Sequence, residues 1–351
     1  MRITTNAILR NYNKNLSTSM KNLDMMRSRV MTQRKFMSTS EDPSSALRAT
    51  SLERKYAKNN DYLDTVEDIQ SHQNAQEDSA MQISNIALVL AKQYGIEGMN
   101  GTNLSKETRQ TYADAWRGAQ QSMLLSLNAT YGDEYVFGGS DAKNVPFTLE
   151  DGPDPTDPTK TIQILKYRGV NVSDPANADI LEELSKDSHF IDLGFGLDVT
   201  DVTPPDDSGK YSIDPATAFN TSLPGINLVG YGADADGDPK NMVLLAGKVA
   251  DMLESEDFDY DRYKELVGKF EDGRNDLLSQ VTILGTQTEF LTTTKERLEN
   301  NKIQIAEDYD NVVNVDMAEA IMDFSWAQYV YNASLKVGNN ILTPSFIDFM
   351  N

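Results

Sequence analysis

Between residues 312 and 342 apolar side chains recur in alternating steps of four and three, at Met317, Ile321, Phe324, Tyr331, Leu335 and Leu342, with Gln328 and Gly338 at the two remaining positions of the stripe. That spacing predicts about seven turns of amphipathic helix with a coiled-coil seam. Asp316 followed three residues later by Glu319 reads as a capping box, which starts the helix at Met317, and Pro344 stops it. Phe346, Ile347, Phe349 and Met350 follow. A second stripe of the same kind lies near the other end, with Tyr12, Leu16, Leu23, Met26 and Val30 in register and Ser19 as a polar gap, and predicts a helix from Thr4 to Phe36.

Proline placement divides what lies between. Pro43 is alone in the first 145 residues, ten prolines fall between Pro146 and Pro239, and Pro344 is the last. Proline is costly inside helices, so the map predicts long helices, an irregular or β-rich insert, then long helices again. The linker from Met37 to Ser45 is a run of turn and cap residues with Asp42 or Ser44 placed to start the next helix, which the apolar positions Leu52, Tyr56, Leu63, Val66, Ala80, Ile83, Ala87 and Leu90 carry to about Tyr94. A Gly/Asn loop leads to a helix from Leu104 to Tyr131, with Tyr112, Trp116, Ala119, Met123 and Leu127 on one face, expected to fold back on its predecessor as a hairpin.

From Tyr135 the period changes. Tyr135–Phe137 and Ile162–Tyr167 read as strands, as do short runs around Ile191, Leu197 and Ile226–Val229. Helix returns at Met242–Leu253 and from Tyr263 to about Ile305, where Gly285 is expected to admit a neighbouring helix. The expected fold is mainly α with a β-rich insert: a long-helix coiled-coil bundle formed by both chain ends, and a small outer β domain. The expected division is residues 1–42 with 311–351, residues 43–147 with 241–310, and residues 148–240.

Charge sharpens the picture. The chain of 351 residues carries a formal charge of −22, which disfavours nucleic acid and an anionic membrane as partners of the whole molecule. Residues 1–60 hold 12 Lys/Arg against 4 Asp/Glu, whereas residues 301–351 hold 2 against 7, so the two end segments attract each other. There is no cysteine, hence no disulfide, thiolate metal site or Cys nucleophile. The opening residues lack the apolar core and cleavage pattern of a Sec-type signal peptide, and no run is long enough to span a bilayer.

Candidate chemistry is thin. Read as an EF-hand from Asp234, the acidic stretch Gly232–Pro239 has Pro239 where the loop needs Gly and Leu245 where it needs Glu, so it is expected to be a solvated acidic turn and not a calcium site. His72 and His189 lack a recognisable catalytic context, and no phosphate loop, dinucleotide fingerprint, nucleophile elbow or zinc spacing is present. Neither catalytic residues nor a cofactor or metal are expected.

The opening Met-Arg-Ile-Thr-Thr-Asn, the Ser40-Glu-Asp-Pro-Ser44 junction, Tyr135-Val-Phe-Gly-Gly139 with Pro146-Phe147, and the closing Asp316-Met-Ala-Glu-Ala-Ile321 and Ser334-Leu-Lys-Val-Gly338 resemble the flagellin family. The likeness covers about residues 1–147 and 241–351. Within the family the chain is more similar to the hook-associated junction branch than to filament flagellins, because it has Ser-Glu-Asp-Pro-Ser at residues 40–44 and ends in Pro344-Ser-Phe-Ile-Asp-Phe-Met350. The resemblance implies a non-enzymatic structural subunit, exported without a cleaved signal peptide to the extracellular flagellum and assembling through its terminal helices. It also implies the partners: like subunits, another hook-associated protein on the hook side, flagellin on the filament side, and an export chaperone at the C-terminal segment. The residues expected to bind partners are Tyr12, Leu16, Leu23, Met26, Val30, Met317, Ile321, Phe324, Tyr331, Leu335, Leu342 and Phe346. From the residues alone the stripes also suit an intramolecular hairpin, and filament flagellin and an intracellular helical adaptor remain alternatives.

Overall fold

The computed structural model describes residues 5–95, 105–153, 161–202, 210–214 and 216–342. The chain forms two compact units, residues 1–61 with 298–351 and residues 62–297. The divisions at 61/62 and 297/298 fall inside the two longest helices.

In the first unit α1 (Thr5–Thr32) and α8 (Met317–Leu342) lie antiparallel, joined to the start of α2 (Pro43–Val89) and the end of α7 (Tyr260–Val313). Asp42 is the residue that starts α2. Its carboxylate accepts hydrogen bonds from the Ser45 hydroxyl and amide and from the Ser44 hydroxyl, which hold its pKa down at about 2. The breaks α1–α2 and α7–α8 coincide in space: Lys35 N–H donates to Val313 O at 2.8 Å, and Val315 N–H donates to Gln33 O at 3.0 Å. Ala49, Leu52, Val312 and Val313 close a small core beneath them, with Phe36, Ile305 and Tyr309 against it.

The second unit holds the larger core. Helix α3 (Lys106–Leu127) starts at Ser105, whose hydroxyl accepts from Thr108 N–H, and packs chiefly on α6 (Met242–Glu254). The expected fold-back on α2 is made at the π-helical turn Leu90–Gly95, where Tyr94 meets Tyr112 edge-on, and one turn earlier, where Ile86 and Val89 line a hollow with Ala115 and Ala119. Trp116, Met123 and Leu127 of α3 are buried with Val243, Ala246 and Ala250 of α6 and Leu266, Phe270, Leu277 and Leu284 of α7.

The insert supplies β1 (Thr130–Tyr131), β2 (Glu134–Tyr135), β3 (Phe147–Pro153), β4 (Thr161–Tyr167), β5 (Val170–Asn171), α4 (Ala178–Ser185), β6 (Phe190–Ile191), β7 (Val199–Val202), β8 (Lys210–Ile213), β9 (Phe219–Asn220) and α5 (Gly225–Val229). Strands β3, β4 and β5 form an antiparallel sheet in that order; β1–β2, β6–β9 and β7–β8 are separate pairs. Arg168 and Gly169 both take positive φ between β4 and β5, the two-residue turn that matches strand twist. The alternation read at Ile162–Tyr167 is β4, and it buries Leu165 and Tyr167. Residues 226–229, expected as a strand, are instead the short helix α5: Ile226, Leu228 and Val229 are all buried, and a short all-apolar run carries no period to distinguish the two. These residues, with Phe147, Leu165, Tyr167 and Leu181, share one core with the helices.

Between α2 and α7 the packing is laced with polar contacts. Gln73 donates to Leu284 O at 3.3 Å and to Gln287 Oε1 at 3.1 Å, Gln70 donates to the Thr292 hydroxyl at 3.0 Å, and Thr288 donates to Glu77 at 3.2 Å. Polar groups in a helical seam fix the axial register, because any slip strands them without partners.

Gly285 contradicts its expected role. A Cβ there meets nothing within 4 Å. On the same helix it is Gly273 that a neighbour approaches, Met242 of α6, and in the insert a Cβ at Gly225 would press on the buried Phe147 ring and on Phe137. Gly225→Ala is therefore expected to destabilise by about 2 kcal/mol through overpacking. Gly285→Ala should stabilise by about 1 kcal/mol through helix propensity. Urea unfolding of both variants checks the opposite signs.

Candidate assembly surface

Leu9, Tyr12, Leu16, Ser19, Leu23, Met26 and Val30 of α1 are half-buried and follow three-four spacing on the face that packs against α8, with Ser28 and Arg29 half-buried beside them at the last turn. On α8 the matching positions are Met317, Ala320, Phe324, Ala327, Tyr331, Ser334 and Gly338. The seam thus alternates large side chains with Ala, Ser or Gly, where the sequence pattern pointed to Ile321, Gln328 and Leu335. Those three sit one residue further on and are exposed. Small residues win the seam because they let the two backbones approach. Gly338 is buried against the Tyr12 ring, and Tyr12 Oη donates to Ser334 O at 3.2 Å. Asp316 starts α8 by accepting from the N–H groups of Ala318 (2.8 Å) and Glu319 (3.4 Å).

The residues expected to bind partners therefore separate into classes. Tyr12, Leu16, Leu23, Met26, Val30, Met317, Phe324 and Tyr331 are half-buried along the intramolecular seam, while Ile321 and Leu335 flank it in solvent. Leu342 ends α8, with its side chain outside the described residues, and Phe346 also lies outside them.

A feature not read from the sequence lies across the helix from the seam. At 100° per residue, Met322, Trp326, Tyr329, Val330, Ala333 and Val337 form a second apolar stripe on the far face of α8. Met322, Trp326 and Tyr329 are 66%, 68% and 65% exposed, and the Trp326 and Tyr329 rings stack at 5.7 Å. With Ile321 and Ser325 these three frame a shallow depression of about 430 Å³. The four-three spacing of these residues was available as a signal, superposed on the first stripe. On α1 the exposed large apolar residues are Ile8, Met20, Met25 and Met31, among Arg10, Lys14, Lys21 and Arg27.

The remaining candidates for chemistry lie in the second unit. Both histidines line one cleft of about 390 Å³, with Asp68, Glu134 and Ser140. Burial pushes the His72 imidazole down, Glu134 opposes this, and its ring meets Tyr131 edge-on at 6.2 Å. Among the described residues neither imidazole hydrogen-bonds to a hydroxyl, so no nucleophile–base pair is formed.

Asp234, Asp236 and Asp238 are the one group of carboxylates or imidazoles, among the described residues, close enough together to hold a metal. The chain's own cations fill that role. Lys269 Nζ lies 2.6 Å from Asp234, 3.0 Å from Asp236, 2.6 Å from Asp238 and 2.8 Å from Glu265. Lys248 and Arg262 reach Asp238 at 2.6 and 2.5 Å. The tip of the turn, residues 235–237, is exposed as expected, but Asp238 is fully buried. Burial alone would raise that carboxyl, but hydrogen bonds from Lys248 and Lys269, with the Arg262 charge, outweigh it and hold the pKa below the usual range. Burial would likewise lower the Lys269 ammonium, yet its four carboxylate partners raise it.

No protein-family model matches the chain, and no curated protein matches it. Solved structures do. A Vibrio parahaemolyticus protein described as a flagellar hook-associated protein aligns over 78% of this chain and 100% of its own length, with a TM-score of 0.54 and 13% identity. Bacillus cereus FlgL aligns over 74% of this chain and 99% of its own, with a TM-score of 0.48 and 14% identity. Xanthomonas campestris FlgL covers the same shares with a TM-score of 0.42 and 14% identity. At such identity the first of these likenesses establishes a shared fold.

Two outcomes follow from the geometry. Gly338→Ala should displace Tyr12 and loosen the α1–α8 pair by about 2 kcal/mol, read as a roughly thirty-fold fall in amide-exchange protection confined to those helices. Lys269→Met should cost about 3 kcal/mol in urea unfolding by leaving Asp238 short of countercharge. The pH dependence has a definite sign. Asp238 has a depressed folded pKa, so its contribution is present above about pH 4 and is lost as pH falls through the folded value. Lys269 has a raised one, so its contribution is full below about pH 10 and is lost only as pH rises past its folded value. Acid unfolding profiles of wild type and Lys269→Met should therefore converge at low pH.

Proposed function

We propose that this chain is a non-enzymatic structural subunit of the bacterial flagellum, the hook–filament junction protein that corresponds to hook-associated protein 3. The observation that carries the reading is the second apolar stripe of α8, which the described residues of its own unit leave in water. A helix apolar on opposite faces needs a neighbour on each, and α1 supplies only one. The shared fold and the terminal motifs support the flagellar assignment.

Like subunits cover the stripe. A contact between different surfaces of identical copies does not close on itself in pairs, so repetition generates a ring or tube. Burying the five large residues of the stripe yields of order 10 kcal/mol gross. Association costs about 4–15 kcal/mol in lost freedom, so one contact alone is weak and assembly requires several at once. That favours templated addition at the end of an existing structure over spontaneous growth in solution. In this reading another hook-associated protein lies on the hook side and flagellin on the filament side. An export chaperone holds the C-terminal segment beforehand, and the subunit is exported without a cleaved signal peptide to the extracellular flagellum.

The test is electron microscopy of concentrated protein seeded with isolated hooks, with Trp326 fluorescence followed in parallel. Short tip-bound structures and a blue shift of Trp326 are expected, and Trp326→Asp/Tyr329→Asp should abolish both while keeping helix content. Micrometre filaments of this chain alone would assign it to filament flagellin. Undiminished association of the double variant would remove the stripe from the interface, and finding the protein only inside cells would point to a helical adaptor.

A further inference from the structure

The chain has 14 methionines and no cysteine, so thioethers are its most oxidisable sulfur groups. The structure sorts the described ones by burial and by face. Met123 and Met242 are fully buried, and Met26 is half-buried in the α1–α8 seam. Met322 is open to solvent at the N-terminal end of the uncovered stripe, one turn from Trp326 and two turns from Tyr329 on the same face. Met20, Met25 and Met31 on α1, Met37 in the linker and Met81 on α2 are exposed too, but none of them lies on the uncovered face of α8.

We infer that Met322 is an oxidation site that controls whether the far face of α8 can dock, an inference that rests on the proposed assembly through that face. The oxidant is a hydroperoxide. The thioether sulfur attacks one peroxide oxygen, the O–O bond breaks, an S–O bond forms, and with hydrogen peroxide the leaving oxygen departs as water. The product carries a strongly polar sulfoxide where the stripe needs an apolar surface, and docking would bury that group without a partner. Once docked, the same sulfur is covered, so assembled material is protected and free subunits are sensitive. Oxidation thereby blocks further addition without dismantling what is already built.

The experiment treats the full chain with hydrogen peroxide, which spares Trp326 relative to stronger oxidants, and maps sulfoxides by peptide mass spectrometry. In the free protein Met322 is expected to react several-fold faster than Met26, with Met123 and Met242 unmodified; equal rates at Met322 and Met26 would overturn the proposal. This ranking does not depend on association, so it decides the modification site even if the assembly reading fails. Association with seeded hooks is the second readout. Peroxide should weaken wild type about ten-fold and leave Met322→Leu, which conserves volume without the sulfur, nearly unaffected. A control, Met20→Leu/Met31→Leu, should remain as sensitive as wild type. Sensitivity lost in that control, or retained in Met322→Leu, would overturn the role of Met322. Untreated wild type that never associates would instead sink the assembly reading.

Discussion

The α1–α8 seam is made close by small residues, and much of the terminal unit depends on that closeness. Ala320, Ala327, Ser334 and Gly338 alternate with Met317, Phe324 and Tyr331, so the larger α1 side chains sink toward the α8 backbone, as Tyr12 does over Gly338. A seam built this way buries little apolar bulk on the α8 side. The bulk is carried elsewhere on the same helix, by Met322, Trp326, Tyr329, Val330 and Val337, where no part of the described chain covers it. One helix is thereby given two sides with different tasks: one closes the subunit, and the other is reserved.

Register matters as much as burial in such a molecule, because each contact between copies must repeat at the same place. Two devices hold it. At the base of the terminal unit the helix breaks are tied by the hydrogen bonds of Lys35 to Val313 and Val315 to Gln33. In the second unit Gln70, Gln73 and Glu77 on α2 meet partners on α7 that a one-turn slip would remove. Both devices trade some apolar burial for a single axial setting.

The insert holds its place by charge as well as by packing. Lys269, Lys248 and Arg262 draw the 234–238 loop onto the helices and neutralise a buried aspartate. Phe195, Phe290 and Phe219 stack in turn, with the Arg297 guanidinium 4.2 Å from the Phe195 ring centroid. The ring faces are largely used up on one another, so the stack fastens loops of the insert to α7 and offers little platform for a ligand.

Long-period information was legible in the chain. The helices of both ends, the insert between the prolines, the strand at residues 162–167 and a start of α2 at Asp42 or Ser44 all follow from spacing and cap chemistry, which are local properties of consecutive residues. The α1 stripe was equally plain, because only one apolar stripe runs along that helix. On α8 two stripes overlap, and periodicity alone cannot say which face turns inward; the seam shifted by one residue to Ala320, Ala327 and Ser334 because backbone approach was worth more there than side-chain bulk. The same limit explains residues 226–229, Gly285 and Asp238. Whether an apolar run coils, what stands opposite a glycine, and which lysine neutralises a carboxylate are set by segments tens to hundreds of residues away, and only the folded chain brings them together.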